Sequence, residues 1–72
     1  MKLYVQLEFS PDGADPFTIV TEMHKLGFFT VLGDYDFSFE FEKPEEYRKV
    51  VLLMHELLKG TGVRYSLSTK KQ

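Results

Sequence analysis

Hydrophobic and polar side chains alternate strictly along the first segment of the chain. Leu3, Val5, Leu7 and Phe9 fall on one side of an extended backbone, and polar or amphipathic residues separate them. Alternation with a period of two residues is typical of a β-strand that has one buried face. This segment therefore predicts a strand that covers a hydrophobic core.

Two later segments alternate in the same way and predict two further strands. The clearer one places Tyr35, Phe37, Phe39 and Phe41 on one face. Aromatic side chains bury large areas, so a face made of four of them predicts either core or interface. The other segment begins at Val63, where hydrophobic residues alternate with arginine, serines and lysine.

Between these segments the hydrophobic residues follow helical spacing twice. Asp15 and Pro16 predict the N-cap and first residue of a helix of about eleven residues, which ends at Gly27. Pro44, followed by two glutamates, predicts the start of the second helix, because acidic side chains complement the helix dipole there. Gly60 predicts its end.

A tight hairpin is predicted at Gly33–Asp34. The apolar run from Phe28 to Leu32 predicts a short strand that precedes it. Glycine at the first central position favours a two-residue turn of type II′, whose twist matches that of the flanking strands. The predicted order is therefore strand, helix, strand, strand, helix, strand.

This order predicts an α+β fold of the ferredoxin-like βαββαβ plan in a single domain over residues 1–72. Right-handed crossovers place both helices on one face of a four-stranded antiparallel sheet with the strand order 4-1-3-2. The other sheet face, called the open face below, stays uncovered in one copy. Its predicted side chains alternate with the core positions and are Lys2, Tyr4, Gln6, Glu8, Asp36, Ser38, Glu40, Glu42, Arg64, Ser66, Ser68 and Lys70.

The open face has two interpretations. Antiparallel sheets often leave one face to water, and this face is polar. It also places acidic residues on a central strand and basic ones on an edge strand, so a twofold axis between two copies would pair them. Recognition of RNA by this plan uses aromatic residues on the first and third strands. Tyr4 fits, but Asp36 and Glu40 would repel phosphates, so nucleic acid is not an expected partner.

Composition narrows the class of protein. A chain of 72 residues without cysteine cannot use disulfides, and so short a domain buries too little surface to be very stable alone. We therefore expect a homodimer or a higher homo-oligomer. The net charge of −2 argues against nucleic acid. No apolar run is long enough for a membrane span, and no signal peptide is apparent. A cytoplasmic protein is expected, and the lack of asparagine and cysteine hints at a thermophile.

The sequence offers no pattern that favours catalysis, a metal or a cofactor. The loop before the first helix lacks an arginine for phosphate and a cysteine pair for a metal. A small metal-dependent enzyme would have to use Asp12 and Asp15 with His24 or His55. Turn and capping roles explain the two aspartates better, and surface positions on amphipathic helices explain the two histidines better.

The hairpin carries the one family signature in the chain. It reads Val-Leu-Gly-Asp-Tyr-Asp-Phe from position 31, and it is followed by Glu-Glu-Tyr at the start of the second helix, Gly-Val before the last strand and Ser-Thr near its end. Over about 40 residues this resembles the effector-binding, ACT-like domain of the Lrp/AsnC transcription regulators. The helix-turn-helix of those regulators is not part of the resemblance, so a stand-alone form is expected and DNA binding is not.

The resemblance implies dimers, often assembled into rings, which hold amino-acid-type effectors between subunits near the hairpin. The expected ligand-binding residues are then Gly33, Asp34, Tyr35 and Asp36. The function expected is that of a non-enzymatic module that self-associates and senses a small metabolite. A passive subunit that contacts another protein through its sheet is the alternative.

Overall fold

A computed structural model of the chain, described for residues 1–70, shows the predicted order of elements. Its bounds are β1 (Lys2–Glu8), α1 (Pro16–Lys25), β2 (Phe29–Thr30), β3 (Phe37–Glu40), α2 (Pro44–Leu58) and β4 (Arg64–Lys70). The strands form one antiparallel sheet with the order β2-β3-β1-β4. This confirms the ferredoxin-like fold and the strand order 4-1-3-2.

The helices begin and end at the positions that the capping residues in the sequence predict. The Asp15 carboxylate accepts the Phe17 N–H at 3.3 Å, and Pro16 is the first helical residue of α1. Gly27 follows the helix with a φ of +103°, a conformation that favours glycine. At the start of α2, the Glu46 carboxylate accepts the Lys43 N–H at 3.0 Å. Within residues 1–70 neither helix combines the length and the apolar character that a membrane crossing requires.

The core lies between the sheet and the two helices. Most of its innermost side chains come from alternate positions of β1 and from helical spacing on α1 and α2, as the sequence predicted, and Phe28 comes from the segment just before β2. The innermost side chains are Leu3, Val5, Ile19, Met23, Phe28 and Met54, each essentially inaccessible to water. Burial of one such side chain contributes about 1.5–3 kcal/mol, so this layer is the main stabilising element of the domain.

The predicted two-residue turn at Gly33–Asp34 is wrong. Strand β2 ends at Thr30 and β3 begins at Phe37, so the connection is a longer loop over residues 31–36. Thr30 pairs with Phe37, and the Val31 N–H donates to the Asp36 carbonyl at 3.1 Å. The strands thus separate before they reach Gly33, which lies within the loop.

The predicted face of Tyr35 is also wrong, because the alternation of β3 does not extend back to it. Its ring lies on the open face beside that of Tyr4, whereas Phe37 and Phe41 are buried in the core as predicted. The apolar run that begins at Phe28 contributes to both sides of the sheet. Phe28 faces the core, and Phe29 is 71% exposed.

Candidate functional site

The loop over residues 31–36, called the hairpin loop below, is anchored to the sheet by Asp36. The Asp36 N–H donates to the Val5 carbonyl at 2.9 Å, and the Asp36 carboxylate accepts the Leu7 N–H at 2.7 Å. Strand β3 has left β1 at this point, since their pairing ends with Val5 opposite Phe37. The carboxylate thus provides the acceptor that a β3 carbonyl would otherwise provide. Asp36, expected to bind a ligand, has a structural role here.

Gly33 and Asp34 lie at the exposed end of the hairpin loop, next to Leu32, which is fully exposed. Gly33 has a φ of +108°, and a Cβ atom there would meet no heavy atom within 4 Å. Glycine is therefore favoured by the backbone conformation and not by crowding. The Asp34 side chain projects from this end of the loop into solvent, where it is open to a ligand or to a second copy.

Tyr35 closes back over the sheet and forms a cluster with Tyr4 and Lys70. The two tyrosine rings have centroids 5.1 Å apart and are tilted by 33°. The Lys70 ammonium lies 5.2 Å from the centroid of Tyr35 and 5.7 Å from that of Tyr4. Both distances are within the range of cation–π attraction, which contributes about 0.5–1 kcal/mol at exposed sites. We call these three residues the tyrosine–lysine cluster.

The register of the sheet arranges the open face in rows that run across the strands. One row crosses all four strands and contains Phe29, Ser38, Tyr4 and Ser68 in that order. Ser38 is only 6% exposed, because it lies between the two aromatic side chains of its row. The open face is therefore not the uniformly polar surface that the sequence suggested, since its middle row is partly aromatic.

The rows at the two ends of the open face carry charges of both signs. Glu40, Lys2 and Lys70 share one row, because Lys2 pairs with Glu40 on one side and with Lys70 on the other. At the opposite end of β1, Glu8 pairs with Arg64. The face thus presents opposite charges on adjacent strands.

The residues of the alternative enzymatic site do not converge. Asp15 lies at the N-terminus of α1 and His24 lies in its last turn, about 13 Å further along the helix axis. The His24 ring bonds to the Thr30 hydroxyl at 2.8 Å, and the His55 ring bonds to the Tyr65 hydroxyl at 2.9 Å. Within the part of the chain that the structure describes, no group of three or more potential metal ligands forms.

Asp12 lies in a turn before α1. The next residue, Gly13, contacts the loop between α2 and β4. The Ala14 N–H donates to the Thr61 carbonyl at 2.9 Å. A Cβ atom on Gly13 would lie only 2.4 Å from that same carbonyl oxygen. The Pro-Asp-Gly loop is therefore joined through its backbone to the loop between α2 and β4, and no pattern in the sequence signals this contact.

Sequence reasoning missed two members of the tyrosine–lysine cluster as partners of the hairpin. The alternation places Tyr4 and Lys70 on the open face, but only the curvature of the hairpin loop brings Tyr35 to them. The aspartate directly after Tyr35 is a signal that the strand ends early. A carboxylate that accepts a hydrogen bond from a backbone N–H of the neighbouring strand interrupts regular strand pairing.

Comparison with known proteins gives no further support for a family. No family model matches the chain, and no curated protein and no solved structure shows a significant match.

Proposed function

We propose that this chain is a non-enzymatic module that self-associates through the open face and binds a small amino-acid-type metabolite beside the hairpin loop. The observation that carries the proposal is the order of side chains across the open face. A large aromatic side chain, Phe29, is exposed on it, and the neighbouring row that contains Lys2 and Glu40 is self-complementary.

The self-complementarity follows from the register. Consider a twofold axis that runs parallel to the strands, between β1 and β3, and packs two open faces together. Lys2 of one copy then faces Glu40 of the second copy, and the same pair repeats on the other side of the axis. Phe29 faces Ser68 of the second copy, which places the exposed ring over a small side chain.

The tyrosine–lysine cluster also fits this arrangement. In the same packing, the Tyr4 ring and the Tyr35 ring above it face Ser38 of the second copy. The two ring pairs would lie side by side near the axis, where aromatic contacts stabilise an interface most.

The size of the face sets the expected affinity. With strands about 4.8 Å apart and a rise of about 3.4 Å per residue, the face covers at most roughly 450 Å² of each copy. The total buried area is then below the roughly 1,200 Å² of standard interfaces. We therefore expect a dimer that dissociates at micromolar concentration unless the hairpin loops or further copies add contacts.

We place the proposed metabolite site at the rim of the same face. Asp34 offers an exposed carboxylate for an ammonium group, and Lys70 offers an ammonium group for a carboxylate. The resemblance of the hairpin to the Lrp/AsnC effector domain is what suggests an amino-acid-type effector here. A zwitterion with an apolar side chain would match both charges and the tyrosine rings.

Sedimentation of the wild-type protein over a concentration range from micromolar to millimolar tests the self-association. Phe29→Ser should weaken the dimer at least tenfold. Leu52→Ser is the matched control, because Leu52 is 60% exposed on α2, away from the open face, and it should leave the dimer unchanged. A wild-type protein that stays monomeric at millimolar concentration would refute this part of the proposal.

A charge reversal tests the orientation of the two copies. Lys2→Glu or Glu40→Lys alone should weaken the dimer, and the two together should restore it. If the double variant remains as weak as the single ones, the twofold axis lies elsewhere.

A thermal-shift screen of the twenty amino acids tests the ligand, because a ligand that binds only the folded state stabilises it by mass action. A hit should be lost in Asp34→Asn and kept in Asp12→Asn, whose carboxylate lies on a different loop. The absence of any shift at millimolar concentration would contradict an amino-acid effector and leave the dimer unaffected.

A further inference from the structure

We propose that the outer edge of β4 binds an extended acidic peptide, which adds to the sheet as a fifth strand. The proposal rests on a different observation from the proposed function, because it concerns the unpaired hydrogen-bonding edge of the sheet. The two cations that select the partner, Arg64 and Lys70, lie on the open face beside that edge.

The backbone of β4 provides the first part of the argument. All seven residues of β4 pair with β1 on one side, from Lys2 opposite Lys70 to Glu8 opposite Arg64, without a bulge. In an antiparallel ladder, every second residue directs its N–H and C=O groups away from the neighbouring strand. No strand within residues 1–70 lies on the outer side of β4. This edge is therefore a straight template of unpaired donors and acceptors.

The charges on β4 provide the second part and select the partner. Arg64 and Lys70 are its first and last residues, both exposed, and the residues between them are uncharged. An added antiparallel strand of seven residues with an acidic side chain at each end would place one acid opposite each cation. Opposite charges in directly facing positions stabilise a pair of strands.

The same two cations argue against a second copy of the chain on this edge. An antiparallel pair of β4 strands centred on Leu67 would place Arg64 of each copy opposite Lys70 of the other. Like charges in facing positions destabilise such a pair. The opposite edge of the sheet offers only the two residues of β2. An acidic extended peptide is thus the partner that the edge favours.

The test uses a fluorescent peptide of nine residues, rich in threonine and valine, with two glutamates placed to face Arg64 and Lys70. Fluorescence anisotropy should show saturable binding. The same peptide with lysine in place of both glutamates should bind at least tenfold more weakly. A third peptide, with N-methyl groups on the amides that face β4, should also lose binding, because it keeps the charges and loses the hydrogen bonds.

Variants of the protein locate the site. Arg64→Glu should weaken the glutamate peptide at least fivefold, which corresponds to about 1 kcal/mol for a reversed cross-strand pair. In Arg64→Glu, a peptide with lysine at the position that faces residue 64 should recover the lost affinity. Arg48→Glu, an exposed arginine on α2, is the matched control and should bind like the wild type. Arg64→Gln serves as the second variant if Arg64→Glu does not fold.

The outcomes separate this inference from the proposed function. Binding should persist in Phe29→Ser, which is expected to be monomeric. If the N-methylated peptide binds as tightly as the unmethylated glutamate peptide, the association depends on charge alone, and the proposal of an added strand is overturned. Failure of the glutamate peptide to bind at millimolar concentration would also overturn it, whatever the oligomeric state.

Discussion

Removal of the Asp36 carboxylate is the sharpest test of how the hairpin loop is held. In Asp36→Ala, the Leu7 N–H loses the acceptor that lies 2.7 Å from it in a partly buried position. A hydrogen bond to a charged group contributes about 1.5–3 kcal/mol, and an N–H left unpaired adds to the loss. The bond between the Asp36 N–H and the Val5 carbonyl remains, because the backbone is unchanged. We therefore expect a loss of about 1.5–3 kcal/mol in the free energy of unfolding.

Urea unfolding at a concentration where the protein is monomeric measures this loss directly, since self-association would add stability to both proteins. For a domain of this size the corresponding drop in Tm is roughly 6–20 °C. Hydrogen exchange gives a local readout, because the Leu7 amide should exchange faster in the variant than the amides of Leu3 and Val5. Asp36→Asn should recover part of the stability, since an amide oxygen still accepts the bond without the charge.

Asp34→Ala is the matched control for Asp36→Ala. It removes an aspartate from the exposed end of the same loop and should change the free energy of unfolding by less than about 0.5 kcal/mol. If Asp36→Ala is as stable as Asp34→Ala and the Leu7 amide keeps its protection, the carboxylate does not anchor the loop. The result also decides which variant can report on a ligand, because an effect of Asp36→Ala on binding would be inseparable from its effect on the loop.

Three further predictions concern positions elsewhere in the fold, all read out by urea unfolding of the monomer. Gly13→Ala places a Cβ atom 2.4 Å from the Thr61 carbonyl oxygen and should cost about 1–3 kcal/mol, whereas a neutral result would mean that the two loops separate freely. Met54→Ala opens a cavity in a fully buried position of α2 and should cost about 2–5 kcal/mol; a cost below 1 kcal/mol would contradict the described core. Tyr35→Leu removes the ring pair and one cation–π contact of Lys70 and should cost about 0.5–1.5 kcal/mol, with a larger effect on the proposed dimer than Tyr47→Leu.

The parts of the fold that depend on local patterns were predictable. Leu3, Val5 and Leu7 alternate and are buried, and Asp15, Pro16 and Gly27 mark the ends of α1 as their chemistry requires. These predictions rest on backbone geometry that each short segment carries by itself. The strand order followed from the handedness of the crossovers.

The hairpin could not be predicted in the same way, because its conformation depends on a contact with a distant strand. Glycine followed by aspartate is compatible with a two-residue turn, yet the Asp36 carboxylate bonds to Leu7 of β1 and ends the regular pairing early. Tyr35 consequently lies on the open face, which the alternation of Phe37 and Phe39 would not suggest. The candidate site depends on this detail, because the contacts of Tyr35 and Asp36 differ from those that the alternation predicts.

The pairing of β1 with β4 has a consequence for how the domain folds. β1 is a central strand, and its partners on one side come from the far end of the described chain, with Lys2 opposite Lys70 and Glu8 opposite Arg64. Contacts between such distant segments form slowly, because a long loop must close before any bond is gained. One of the two hydrogen-bonding edges of β1 therefore stays unpaired until β4 joins the sheet. We expect α1 and α2 to gather on the hydrophobic side first and β4 to join the sheet last, so that a chain cut short before Arg64 would leave its central strand exposed to pairing with other chains.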